Sequence, residues 1–206
     1  MEQQEDPQQF WERLYGERDQ VWSGRVNAVL EQEAEGLERG RALDLGCGEG
    51  GDALWLADRG WQVTAVDISP TALRRAAAEA ARRRVVVDWQ CADLAEELPP
   101  GPYDLVSAQF LQSPVALPRS EVLRRAAGEV APGGTLLVVG HAAPPPWSQH
   151  QPDPALMPTA AEVLAQLALP LQAWEAVRVE QARRSATGPD GQAGELVDSI
   201  VLLRRR

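Results

Sequence analysis

Three carboxylates and one knot of glycines are the residues of this chain whose types and spacing could do chemistry. Asp44 sits at the carboxyl end of the apolar run Ala42-Leu43-Asp44-Leu45, two residues before the turn Gly46-Cys47-Gly48-Glu49-Gly50-Gly51. Gly46 and Gly48 lack a Cβ, so this turn can take positive φ and let a ligand touch the main chain. The segment that follows, from Asp52 to Gly60, reads as a helix, whose first N–H groups and positive dipole end face the same place. Strand, glycine turn and helix together form the arrangement in which backbone closely approaches a nucleotide cofactor. Gly46, Gly48 and Gly51 satisfy the G-x-G-x-x-G dinucleotide fingerprint. Asp44 argues for a different ligand, because a carboxylate there repels a pyrophosphate and attracts an ammonium group. Asp67 ends the next strand, 19 residues after Gly48, where it can accept hydrogen bonds from both hydroxyls of a ribose, with Ile68 beside it to pack on an adenine face.

The run Asp44-Leu45-Gly46-Cys47-Gly48-Glu49-Gly50 resembles motif I of class I S-adenosylmethionine-dependent methyltransferases, an acidic residue followed by a strand-ending G-x-G-x-G. The resemblance implies S-adenosylmethionine as cofactor. Cys91-Ala92-Asp93-Leu94 looks like that family's adenine motif, with Asp93 accepting from the adenine amino group and the Leu94 N–H meeting a ring nitrogen. Asp44, Asp67 and Asp93 then end three successive strands and match an ammonium, a ribose and an adenine amine. Gln109 ends the fourth strand, which in the family lies near the transferable methyl; it is otherwise an amide finishing a strand. The N-terminal Phe10-Trp11-Glu12-Arg13-Leu14-Tyr15 resembles the cap of small-molecule methyltransferases of the tellurite-resistance and thiopurine types. Tyr15, Trp22 and Arg25 are the cap's candidates for the methionine part or the substrate, against the plainer reading of a packing helix with a surface arginine. His141 directly follows strand five, where a neutral imidazole could deprotonate an acceptor or merely cap the strand end.

These residues require elements to hold them. Apolar positions at helical spacing run over 8–35, with a break around Gly16 to Gly24 that leaves Trp22 in a loop. Strands are expected at 41–46, 62–67, 85–91, 103–109 and 135–140, with a turn at Ala131-Pro132-Gly133-Gly134 before the last. Helices are expected after the glycine turn, from Pro70 with Ser69 as N-cap, over 119–130, and over 160–168 with Thr159 and Glu162 as a capping box. Residues 142–158 form a proline-rich irregular stretch that includes His150. Alternation at 173–184 and 195–203, around Gly188-Pro189-Asp190-Gly191, predicts a final hairpin. The expected fold is α/β: a Rossmann-like, seven-stranded, mostly parallel sheet with helices on both faces, an antiparallel last strand and an N-terminal helical cap. One domain is expected over 1–206, as a cap (1–38) and a core (39–206).

Composition narrows the partners. The net charge of −10 opposes a nucleic-acid partner, since phosphate binding needs a positive field. No apolar run approaches the ~20 residues of a membrane span. All 20 basic residues are arginine, so no lysine Schiff base is available. Cys47 and Cys91 form no disulfide framework and read as free core thiols in a reducing, cytoplasmic setting. Two histidines without a cysteine pair at metal spacing give no metal site. The function expected is transfer of a sulfonium methyl to an O, N, S or metalloid atom of a small molecule. A non-catalytic, regulatory S-adenosylmethionine-binding protein is the alternative, and an NAD-dependent oxidoreductase the third.

Overall fold

The computed structural model describes residues 5–148, 153, 156–170, 172–188 and 191–206. Two helices, α1 (Pro7–Gly16) and α2 (Ala28–Glu35), precede a core of β1 (Arg41–Leu45), α3 (Gly51–Asp58), β2 (Gln62–Asp67), α4 (Pro70–Arg83), β3 (Val87–Cys91), β4 (Tyr103–Gln109), α5 (Arg119–Gly128), β5 (Val130–His141), α6 (Ala160–Leu167), β6 (Trp174–Thr187) and β7 (Ala193–Arg205). The seven strands form one sheet in the order β3-β2-β1-β4-β5-β7-β6. The first five run parallel, and β7 inserts antiparallel between β5 and β6.

Both sheet faces are covered, which is why β1 and β4 read as nearly unbroken apolar runs. On one face Leu43, Leu45 and Val106 pack with Val122 and Leu123 of α5 and Val163 and Leu167 of α6. On the other, Ala42, Ala65 and Leu105 pack with Leu30 of α2 and with Trp55 and Leu56 of α3. The parallel strands all deliver their carboxyl ends to one edge, and the reversal of strand order between β1 and β4 opens a crevice there.

Local signals behave as their chemistry dictates. Ser69 caps α4 through Ala72 N–H, with Pro70 in the first turn. Thr159 and Glu162 complete the capping box of α6. Gly60 takes φ +89° just past the end of α3. Three expectations change. The break between the first two helices is wider, because the N-cap of α2 is Asn27, which is tied to Asp52 by bonds of 2.7 Å from its main-chain and side-chain nitrogens. Residues 131–134 are part of β5 rather than a turn before it: Val130 pairs with Tyr103, and the register then shifts before Leu105 pairs with Thr135. Cys91 is exposed at the end of β3 instead of buried in the core, and Cys47 is half-buried in the glycine turn; both are free thiols. The hairpin residues Pro189 and Asp190, and His150 in the proline-rich stretch, lie outside the described residues.

Candidate active site

The crevice is a cavity of about 580 Å³ at the carboxyl edge of the sheet. Asp44, Gly46, Cys47, Gly48, Asp67, Ile68, Asp93, Leu94 and Gln109 line it from the core. Tyr15, Trp22 and Arg25 line it from the N-terminal segment, and His141 from the end of β5. Gly50 is the one predicted site residue absent from the lining. It is the N-cap of α3 at φ +81°, and a Cβ there would lie 2.7 Å from the Trp89 ring and 2.9 Å from Ala76 Cβ. Its glycine is therefore required by packing beneath the turn.

The carboxylates differ in what already occupies them. Asp67 Oδ2 accepts from Gly48 N–H at 2.8 Å and Oδ1 from Ser69 N–H at 2.9 Å, so this side chain also holds the glycine turn against the start of α4. Asp93 Oδ1 accepts from Ala95 N–H at 2.8 Å. Asp44 is 2% exposed, and its Oδ2 has no hydrogen bond. Burial, then repulsion from Asp52 and Asp67, pushes the Asp44 carboxyl well above the usual carboxylate range. Burial likewise raises Asp67 and Asp52 against the hydrogen bonds they accept. Gln109 donates from Nε2 to Ser107 Oγ at 3.1 Å, while its buried Oε1 is without a partner. Among the described residues two buried oxygens therefore lack donors beside a cluster of raised carboxylates, a place where a cationic N–H donor would be accommodated.

Sequence reasoning missed the residues that close the cavity from above. Glu49, inside the glycine turn, accepts from Val21 N–H at 3.0 Å and Trp22 N–H at 2.9 Å, and pairs with Arg75 of α4 at 2.8 Å. Arg75 also donates to the carbonyls of Tyr15 and Arg18. Glu12 of α1 accepts from the Thr71 N–H at 2.9 Å and the Thr71 hydroxyl at 2.8 Å, and also from Ser69 Oγ. Burial pushes Glu12 up, but these bonds outweigh it and hold the carboxyl below its ordinary range. So clamped, Trp22 donates from Nε1 to the Tyr15 hydroxyl at 2.8 Å, and a Cβ on Gly48 would lie 3.0 Å from that hydroxyl. The partners of Glu49, Arg75 and Glu12 are 26 to 60 residues away, so no spacing in the sequence reveals them.

At the far end, His141 Nδ1 lies 3.0 Å from Asp198 Oδ1 of β7, and Arg184 Nε of β6 lies 2.5 Å from Asp198 Oδ2. Gln112 Oε1 accepts from His141 N–H at 2.7 Å, and the Phe110 ring stands 4.5 Å from the imidazole. Asp198 and Arg184 carry no motif; only the pairing of β7 with β5 brings Asp198 opposite His141. No group of three histidine, cysteine or acidic residues is arranged to hold a metal among the described residues, and none of their helices is long and apolar enough to cross a membrane.

Comparison with known proteins agrees with this geometry. Residues 42–134 match the methyltransferase domain family. The chain is 37% identical over 129 residues to an uncharacterized methyltransferase of Mycobacterium tuberculosis, covering 61% of this chain and 64% of that protein, so it spans less than two thirds of that relative. It is 31% identical over 175 residues to a 2-heptyl-1-hydroxyquinolin-4(1H)-one methyltransferase of Mycobacteroides abscessus, covering 81% of this chain and 72% of that protein. Its fold is similar to that of TehB from Haemophilus influenzae, with a TM-score of 0.70 at 18% identity over 88% of this chain and 63% of TehB. Together with the topology and the acid-and-glycine strand ends, these relatives show that the chain belongs to the class I S-adenosylmethionine-dependent methyltransferases.

Proposed function

We propose that this protein transfers the methyl group of S-adenosylmethionine to a small-molecule acceptor bound in the same cavity. The observation that carries the reading is the pair of buried acceptors without partners among the described residues, Asp44 Oδ2 and Gln109 Oε1, where Asp44 is one of three raised carboxyls with Asp52 and Asp67. An ammonium group answers both oxygens and offsets the charge of the cluster. In this reading Asp67 takes the ribose hydroxyls with Ile68 against the adenine, and Asp93 and the Leu94 N–H take the adenine edge. The Gly46-Cys47-Gly48 backbone lies along the cofactor, and Arg25 pairs with its carboxylate. When bound, the cofactor supplies a methyl group already activated on a sulfonium.

The chain's own contribution is orientation and exclusion of water, which for well-aligned reactants is worth effective molarities of order 10⁵–10⁸ M. Trp22 and Tyr15 form the cover. Burial pushes the Tyr15 phenol far up, with Asp67 adding to the shift, so Tyr15 keeps its proton at neutral pH and serves as a donor, not a base. His141 is the cavity residue suited to accept a proton. The acidic chain and the size of the cavity, about 580 Å³, favour a small acceptor, and the free thiols fit a cytoplasmic setting.

The test is calorimetric titration of S-adenosylhomocysteine and of NAD into the wild type and Asp44→Asn. Tight S-adenosylhomocysteine binding that the variant weakens, without NAD binding, supports the reading. Binding of NAD alone overturns it.

A further inference from the structure

We propose that Asp198 is a positioning residue that fixes His141 in the Nδ1–H tautomer, making Nε2 a general base for a neutral aromatic hydroxyl acceptor stacked on Phe110. The inference rests on the methyl-transfer reading above and adds the class of acceptor. A carboxylate only accepts, so the ring nitrogen 3.0 Å from Asp198 Oδ1 must carry a proton. Burial raises the Asp198 carboxyl, but the hydrogen bonds from His141 and Arg184 outweigh it and hold it below its ordinary range, which keeps it an acceptor. The His141 backbone is fixed as well: Gln112 accepts from its N–H at 2.7 Å and donates to its carbonyl at 3.1 Å. Nε2 has no hydrogen bond among the described residues and is left for a group bound in the cavity.

The surroundings choose the acceptor. Phe110, half-buried, presents its ring 4.5 Å from the imidazole, and Arg184 holds its guanidinium 5.8 Å from the same ring. Trp11, Leu111 and Leu117 add apolar surface to the cavity lining. A flat aromatic body laid against Phe110 would bring its polar atom to His141 and Arg184. A thiol ionises near neutral pH, and an aromatic amine is already unprotonated and attacks with its own lone pair, so neither needs a base beforehand. An aromatic hydroxyl, with an ordinary pKa near ~10, is neutral and does need one. In the transfer step the O–H proton goes to His141 Nε2 as the new O–C bond forms. The methyl C–S bond breaks with its electron pair left on sulfur, and the imidazolium later returns its proton to water. Arg184 stabilises the negative charge that develops on the oxygen.

Asp198→Asn tests the idea without removing volume. Arg184 Nε can only donate, and at 2.5 Å it claims the amide oxygen, which turns the amide NH₂ toward His141 Nδ1. His141 must then accept at Nδ1 and carry its proton on Nε2, where it cannot act as a base. In a His150→Gln background His141 is the only imidazole, since the chain has two histidines. Nitrogen-15 spectra of the ligand-free protein, at a pH where the ring is neutral, should show the Nδ1–H tautomer in the parent and Nε2–H in Asp198→Asn. Adding Arg184→Met frees the amide to rotate and should restore Nδ1–H. With phenols of graded acidity as acceptors, Asp198→Asn should lower kcat by about 10²-fold or more. The loss should be largest for the least acidic phenol, with S-adenosylhomocysteine affinity unchanged. An Nε2–H tautomer in the parent, or one unmoved by Asp198→Asn, overturns the role of Asp198. Turnover of thiols or amines but of no hydroxyl acceptor overturns the acceptor class. Failure to bind S-adenosylhomocysteine at all would instead sink the methyl-transfer reading.

Discussion

Replacing Asp44 with asparagine should move the stability of the ligand-free protein and its affinity for cofactor in opposite directions. Asp44 is 2% exposed, its Oδ2 is unpartnered, and burial followed by Asp52 and Asp67 pushes its pKa well above the ordinary 3.8. The unfolded chain ionises near 3.8, so between that value and the raised one the folded state holds the extra proton. Stability therefore falls by about 1.4 kcal/mol per pH unit as pH climbs through this window, and the penalty persists in full above it. A neutral amide of the same shape removes that slope and raises the Tm at neutral pH. Binding responds the other way. A charge-assisted hydrogen bond from an ammonium to Asp44 is worth about 1.5–3 kcal/mol, so Asp44→Asn should weaken S-adenosylhomocysteine by roughly 10- to 150-fold. Wild-type binding has its own signature, because only the ionised carboxylate receives the ammonium. Within the window binding releases a proton, and affinity rises about tenfold per pH unit until Asp44 ionises in the free protein. Calorimetry in two buffers of different ionisation enthalpy, from about pH 5 to about pH 8, with melts of the same samples, measures both effects. A variant that melts lower than wild type, or binds within about threefold of it, would refute the assignment of Asp44.

Three other substitutions separate the roles around the cavity. Gly50→Ala forces a side chain into φ +81° and against Trp89 and Ala76, and should cost about 2–4 kcal/mol in urea unfolding; cofactor affinity per folded molecule should change little, since Gly50 does not line the cavity. Glu49→Gln removes the charge that gathers Val21 N–H, Trp22 N–H and Arg75; hydrogen exchange should quicken in residues 17–25 while α3 stays protected, and S-adenosylhomocysteine should bind roughly tenfold more weakly. Tyr15→Phe deprives Trp22 Nε1 of its acceptor and should cost about 1 kcal/mol. Because the phenol stays protonated, the pH profile of kcat should keep its shape, and an altered profile would show Tyr15 acting as a base.

Most of the cavity lining contributed by the sheet was legible because its residues are tied to strand ends. Asp44, Asp67, Asp93 and Gln109 each sit where an apolar run stops, and a parallel sheet sends all those stops to one edge. Gly50 shows the limit of that reading. Its spacing fits the motif, and its φ and its neighbours Trp89 and Ala76 require glycine there for packing whatever the turn binds. Asp67 shows another limit, since one side chain both faces the cavity and caps Gly48 and Ser69. An alanine there would leave two main-chain N–H groups without acceptors and mix folding with binding, so Asp44 is the cleaner substitution. The clamp of Glu12, Glu49 and Arg75 and the dyad of His141 with Asp198 depend on three-dimensional register: His141 meets Asp198 only because β7 pairs antiparallel with β5 at that position. Periodicity finds strands and their buried faces, but not which residue of a distant strand stands opposite.

In the proposed reading the acidic part of the cavity attracts a cationic cofactor, and salt dependence can read that attraction. Asp44, Asp52, Asp67, Glu49 and Asp93 crowd the cofactor end of a chain whose net charge is −10, while Arg25 and Arg184 are the cationic residues in the lining. S-adenosylmethionine is a net cation, so its affinity should fall as salt screens this field. The Debye length shrinks from about 30 Å at 0.01 M to about 8 Å at 0.15 M, which spans the cavity. An anionic acceptor would be repelled by the same field, and its kcat/KM should climb several-fold over that range. A neutral aromatic hydroxyl feels neither effect, and its kcat/KM at saturating cofactor should stay within about twofold. Measured side by side, a falling cofactor affinity with a flat acceptor response is the pattern expected if His141 must remove a proton. An acceptor response that climbs with salt would mean the substrate arrives already ionised, and the base at His141 would have nothing to do.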